Sequence, residues 1–273
     1  QVMHSQPRSI AADALAAGAI WHEILAAFMT GRRGERLDPA KRSHYTEQLL
    51  TLLDRSVQKR EQQGRLVAGV WWQYERRRLE RAIGQWLESE LERQKGSLLQ
   101  PSHFEWAFGM AAGLGCDACS TELPLTLEQD GVQVELQGKV DRIDIAAHSY
   151  RVIDYKSGQL PNGKQVQQGV CLQVSVYMMA VETLLGQRFD EAEGLYVPVG
   201  KVGRDFLLPG RIASRQELFT KTRQYAVQWA NGIRSGKFPA RPALKCPTYC
   251  PAASFCRQDG GEDGDGAEEL QDE

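Results

Sequence analysis

The 273 residues are 42% hydrophobic and 25% charged, the proportions of a soluble globular chain with room for one large domain or two small ones. No apolar run approaches the ~20 residues of a membrane-spanning helix and no signal peptide is visible, which argues against a membrane partner and for a cytoplasmic protein. The net charge of −2 hides an asymmetry: residues 259–273 hold eight acids and neither Lys nor Arg, so residues 1–258 carry +6.

The elements follow in chain order. Residues 10–30 read as a helix, with Ile10, Ala14, Trp21, Leu25 and Phe28 at helical spacing. A polar break over 31–38 precedes a second helix over 39–63, whose inner face is Tyr45, Leu49, Leu52, Leu53 and Val57. A third helix over 67–95 carries Trp71, Trp72, Leu79, Ile83, Trp86 and Leu87. It also carries Arg76, Arg77, Arg78 and Arg81, either a solvated face or a surface for nucleic-acid phosphates. The basic body is compatible with the second reading. Residues 105–108 alternate like a strand, with Glu105 expected on the surface. The loop over 109–120 is Gly- and Ala-rich and holds Cys116 and Cys119. Residues 122–129 and 132–137 flank Asp130-Gly131, a hairpin signal. Two motif-bearing strands come next, then a helix over 165–185, strands over 193–199 and 204–208, and a last helix over 214–235.

This order predicts an α/β fold: a mixed, mostly antiparallel sheet with one helical crossover, flanked by helices, behind an N-terminal helical portion. One domain is expected over 1–258, mainly helical over 1–100, with the sheet core and a Cys-rich segment over 101–258. Residues 259–273 are expected to be a disordered acidic tail. The chain opens on Gln1 rather than Met and is read as a fragment or an excised domain.

Residues 138–177 hold the chemistry. Gly138-Lys-Val-Asp141-Arg-Ile-Asp144 is followed by a turn at His148-Ser149 and by Val152-Ile-Asp154-Tyr-Lys156-Ser-Gly158. Strand side chains alternate, so Asp154 and Lys156 share a face, Asp141 joins them if its strand pairs in register, and Asp144 points the other way. Gln173 and Tyr177 lie four apart on a helix and share a face too. Paired carboxylates bind a hard divalent cation, and a lysine beside them stabilises a charged phosphoryl transition state. The plain alternative is an amphipathic hairpin with a surface salt bridge. Against it, both carboxylates follow β-branched residues, Val140 and Ile153, where unpaired charge is costly.

These motifs, with Gly18-x-x-x-His22 and the cysteines near the C-terminus, resemble the RecB-like branch of the PD-(D/E)XK nucleases. The pattern is most like the C-terminal nuclease domain of AddB-type helicase–nuclease subunits. The resemblance implies a restriction-endonuclease-like fold and metal-dependent hydrolysis of DNA, in an exonuclease domain that processes DNA ends in recombination and repair. It implies Mg²⁺ or Mn²⁺ held by His22, Asp141, Asp154 and the Tyr155 carbonyl, with Lys156 acting on the water or the transition state. It places Gln173 and Tyr177 at the scissile region of DNA, and it implies a helicase or helicase-like partner chain. A catalytically inactive DNA-binding or scaffold domain is the rival from a different class, and a zinc-binding structural module is a third.

Cys246, Cys250 and Cys256 lie in a Pro-rich segment and suggest metal ligation rather than disulfides. Thiolates bind Zn²⁺ or an iron–sulfur cluster. The resemblance implies a 4Fe-4S cluster, whose fourth cysteine would lie before Gln1 or be replaced by Cys116 or Cys119. Cys116-x-x-Cys119 reads equally as a separate zinc half-site or as a plain loop. Cys171 is expected in the core of the helix that carries Gln173.

Overall fold

The computed structural model describes residues 10–64, 70–113, 115–200, 203–210 and 213–237. Three helices come first: α1 (Ile10–Thr30), α2 (Arg42–Gln62) and α3 (Val70–Gln94). A single 3-10 turn, Pro39–Lys41, leads into α2 and is capped by Asp38, whose carboxylate accepts from the Ala40 N–H at 2.9 Å. Strand β1 (Gln100–Phe108) follows, then a separate hairpin of β2 (Leu125–Gln129) and β3 (Val132–Leu136). Its turn is Asp130-Gly131, both residues at positive φ, which glycine tolerates and aspartate visits more readily than most. Next come β4 (Gly138–Ile145), β5 (Ser149–Lys156), α4 (Gly163–Gln167), α5 (Gln173–Leu184), β6 (Glu191–Pro198), β7 (Phe206–Leu208) and α6 (Arg215–Arg234). Ser214 and Glu217 cap α6 reciprocally through their side chains and backbone N–H groups.

The main sheet has the order β1-β4-β5-β6-β7. All its pairs are antiparallel except β5 with β6, which α4 and α5 connect as a crossover. One face packs on α1–α3, burying Phe104, Ile153, Tyr155, Leu195 and Val197 with Trp21, Leu25, Phe28, Leu49, Ile83 and Trp86. The other face buries Trp106, Val140, Tyr150, Val152 and Tyr196 with Val174, Met178 and Leu218. Alternation sorts β5 cleanly: Val152 faces α5, while Ile153 and Tyr155 face the N-terminal helices.

The helix expected over 165–185 is two helices. Gly169 breaks it at φ +72°, and a Cβ there would overlap the Tyr225 ring. Cys171 therefore lies in the link before α5, half-buried, with its Sγ 3.0 Å from the Tyr196 hydroxyl.

A charged network is buried beneath the helical layer. Arg142, fully buried, contacts Glu90 of α3 at 2.7 Å and donates to both oxygens of Asp144 at 2.5 and 2.8 Å. Arg93 pairs with Glu90 and with Asp205. Burial opposes ionisation of Glu90, yet the Arg142 and Arg93 charges hold its carboxyl down at about 2.

Residues 1–230 form one compact unit and residues 231–273 a second. The described part of the second is the end of α6 and its turn, where the Lys237 N–H donates to the Gly232 carbonyl at 2.8 Å. The tail expected over 259–273 and the boundary at 258 lie outside the described residues. No described helix is long and apolar enough to cross a membrane.

Candidate active site

The site forms where β4 and β5 part. Their ladder runs from Ile145↔Tyr150 to Arg142↔Ile153 and stops there. At the next position the Asp141 side chain replaces the ladder, its Oδ2 accepting from the Tyr155 N–H at 2.8 Å. Its other oxygen, Oδ1, lies 3.1 Å from His22 Nδ1 of α1. Glu23, beside His22, fixes α1 to α2 through Ser56 at 2.9 Å, Lys59 at 3.1 Å and Arg60 at 2.5 Å. Gly18, one turn before His22, lets α1 approach the end of β5, since a Cβ there would stand 2.9 Å from Ser157 Oγ.

Asp154 and Lys156 share a face as alternation requires, with Lys156 Nζ 2.8 Å from Asp154 Oδ2. That ammonium donates to Gln173 Oε1 at 2.7 Å, and Gln173 Nε2 donates to the Tyr177 hydroxyl at 3.0 Å. One turn of α5 thus aims the lysine. Asp154 is 1% exposed, and the Lys156 ammonium is the contact that offsets the charge of its buried Oδ2. Burial, reinforced by the charge of Asp141, pushes its carboxyl up to about 6 despite Lys156. Burial works against a charged His22, but the hydrogen bond to Asp141 and the charges of Asp141, Glu105 and Asp154 outweigh it and raise the imidazole. Burial pushes the Tyr177 hydroxyl up to about 12.

Glu105 is not the surface residue expected. It is buried, at positive φ (53°), and its pairing neighbours Phe104↔Arg142 and Trp106↔Val140 set it opposite Asp141. One ligand atom from each of His22, Glu105 and Asp141 lies within 4.8 Å of the others. Burial is the main cause that raises its carboxyl, with the Asp141 charge adding to it. The family resemblance offers Glu105 only a weaker case than a surface strand position; the β1–β4 register is what brings it to Asp141.

Of the other expected residues, Asp144 turns away from this cluster to Arg142, as its parity requires. Arg76 is tied to Asp54 of α2 at 2.6 Å and to Glu80 at 2.5 Å, while Arg77, Arg78 and Arg81 are exposed on α3. Cys246, Cys250 and Cys256 lie outside the described residues. Cys119 stands near His103 and Asp117. Asp117 already accepts from Arg33 at 2.7 Å, the Cys119 N–H at 2.9 Å and the Phe104 N–H at 3.1 Å, which makes it the anchor of the loop.

The donor set of Asp141, Asp154, Glu105 and His22 is oxygen-rich with one imidazole, and it fits a hard divalent cation. Asp154 fits the same view, because its carboxylate is buried against the Lys156 ammonium and a cation would further offset the cost of its charge.

Two comparisons with known proteins bear on this geometry. The family model of the PD-(D/E)XK nuclease superfamily matches residues 3–257. The chain is also similar to an ATP-dependent helicase/deoxyribonuclease component from Moorella thermoacetica, 30% identical over 203 residues. That alignment covers 68% of this chain but 16% of the relative, so the chain spans a small part of that protein. A mixed five-stranded sheet flanked by helices, matched by one family model along nearly its whole length, places the chain in the PD-(D/E)XK nuclease superfamily.

Proposed function

We propose that the chain is a metal-dependent deoxyribonuclease domain that hydrolyses DNA phosphodiester bonds, as an exonuclease in end processing during recombination and repair. The observation that carries this is the convergence of His22, Glu105 and Asp141, whose ligand atoms lie within 4.8 Å of one another, beside the buried Asp154–Lys156 pair. Asp141, Asp154, His22 and the Tyr155 carbonyl would hold Mg²⁺ or Mn²⁺. When bound, the cation would polarise the phosphate and acidify the attacking water. Asp141 is oriented by His22 and the Tyr155 N–H, so its position costs no reorganisation at the moment of reaction. Lys156, aimed by Gln173 and by Asp154, offers a positive charge to the phosphoryl oxygens as negative charge builds there. Tyr177 steadies Gln173 and, with it, contacts the DNA near the scissile bond.

The relative is a component of a helicase/deoxyribonuclease, which supports a helicase or helicase-like partner. Cys246, Cys250 and Cys256 would bind a 4Fe-4S cluster or zinc. Iron, sulfide and zinc analysis of anaerobically purified protein tests that assignment, and absence of all three overturns it.

The test of the function compares end-labelled linear DNA with closed circles, with Mg²⁺, with Mn²⁺ and with a chelator. Cation-dependent degradation of linear DNA with circles intact is the expected result. Equal cutting of circles overturns the exonuclease reading. DNA binding without cleavage under any cation returns the chain to the scaffold alternative.

A further inference from the structure

The metal and phosphate chemistry proposed above leaves one ammonium group without a role. Lys139 lies on β4 two residues before Asp141, and its Nζ is paired with Glu105 Oε2. Since Glu105 stands opposite Asp141 across the β1–β4 ladder, Lys139 reaches it along the cross-strand diagonal. Glu105 keeps a positive φ there, a costly conformation for a non-glycine residue that only a fixed neighbourhood sustains. The Lys139 side chain is 47% exposed and that of Glu105 11%, so the lysine is the more exposed partner of the pair.

Glu105 brings a ligand atom within 4.8 Å of those of His22 and Asp141, two of the residues that would hold the cation, and so adds a third carboxylate to the site. A third carboxylate offers a place for a second cation, with Asp141 shared between the two. We infer that Lys139 holds the Glu105 carboxylate in place of a second divalent cation, so that the centre takes one metal ion and not two. The inference rests on the metal-dependent reading above.

The balance of charge supports it. Glu105, Asp141 and Asp154 bring three negative charges, and Lys139 and Lys156 bring two positive ones. One divalent cation turns the remaining negative charge into a single positive one, which a phosphodiester neutralises. A second divalent cation would leave three positive charges around the same phosphate, with an ammonium against it. Lys139 is therefore a residue that sets the number of cations and does not itself touch the reacting atoms.

The experiment counts Mn²⁺. Chelator-stripped protein is titrated with Mn²⁺ alone, bound ions being measured by calorimetry and by the electron paramagnetic resonance of free Mn²⁺. The wild type should bind one ion. Lys139→Met, which keeps the apolar stem, should bind two. Lys139→Met with Glu105→Gln should return to one. Lys139→Gln is the second variant should the first not fold, with circular dichroism as the check. Two ions on the wild type, or one on a folded Lys139 variant, overturn the inference and leave the metal-dependent reading standing. No Mn²⁺ bound by the wild type overturns both.

Discussion

Replacing Asp154 by Asn should stabilise the metal-free protein while abolishing its chemistry. Asp154 is almost wholly buried, and burial, with the Asp141 charge added, raises its carboxyl from 3.8 to about 6. Ionising it near pH 7 therefore costs the folded state about 3 kcal/mol. Between about pH 4 and 6 the folded protein holds the Asp154 proton and the unfolded chain has lost it, so stability falls as pH rises through that window. His22 and Glu105, also raised, act in the same direction. Asp154→Asn keeps the shape and removes the charge. At roughly 2–4 °C per kcal/mol, the metal-free variant should melt roughly 6–12 °C above wild type near pH 7 and level with it near pH 4. Saturating Mn²⁺ should reverse the order, since only the wild type gains binding stabilisation. Scanning calorimetry in chelator and then in Mn²⁺ at both pH values measures this. A variant no more stable than wild type near pH 7 in chelator would refute the argument that Asp154 is a charge waiting for a cation.

Three further outcomes are expected. Gln173→Ala releases Lys156 and should slow cleavage about 100-fold, well beyond any loss of DNA affinity, as single-turnover kinetics beside a binding titration will show. Glu90→Gln leaves Arg142 short of a counter-charge in a fully buried place and should cost about 3 kcal/mol in denaturant unfolding. Neutralising Arg77, Arg78 and Arg81 should make log affinity less steep against log salt, by up to ~0.9 per lost duplex contact. An unchanged slope would make them a solvated face. Arg76 is left out because its pairing with Asp54 braces α3 against α2.

Local periodicity made the three N-terminal helices, the Asp130-Gly131 hairpin and the two motif strands legible. The same parity argument joined Asp154 to Lys156 and sent Asp144 the other way, because both statements depend on one strand only. What was not legible depends on register. Glu105 becomes a site residue through its place opposite Asp141, and a backbone at positive φ is not written in a Glu-Trp-Ala-Phe pattern. No sequence pattern marks Arg142 as buried, because its counter-charges come from Glu90, far away in the chain, and from Asp144. The helix expected over 165–185 failed at Gly169, whose reason is a tyrosine more than fifty residues later.

The hydrogen bond between His22 and Asp141 joins residues 119 positions apart. On the ribosome that distance becomes time. At roughly 5–20 residues per second, the histidine waits about 6–24 s for the carboxylate to be made, and longer for Asp154, Lys156 and Gln173 to follow. A nascent chain that has delivered the whole N-terminal helical layer carries no part of the acidic pair. On the reading proposed above, the capacity to cut DNA therefore waits until β4, β5 and α5 have all been made, and a chain interrupted before them lacks the means to cut the genome around it.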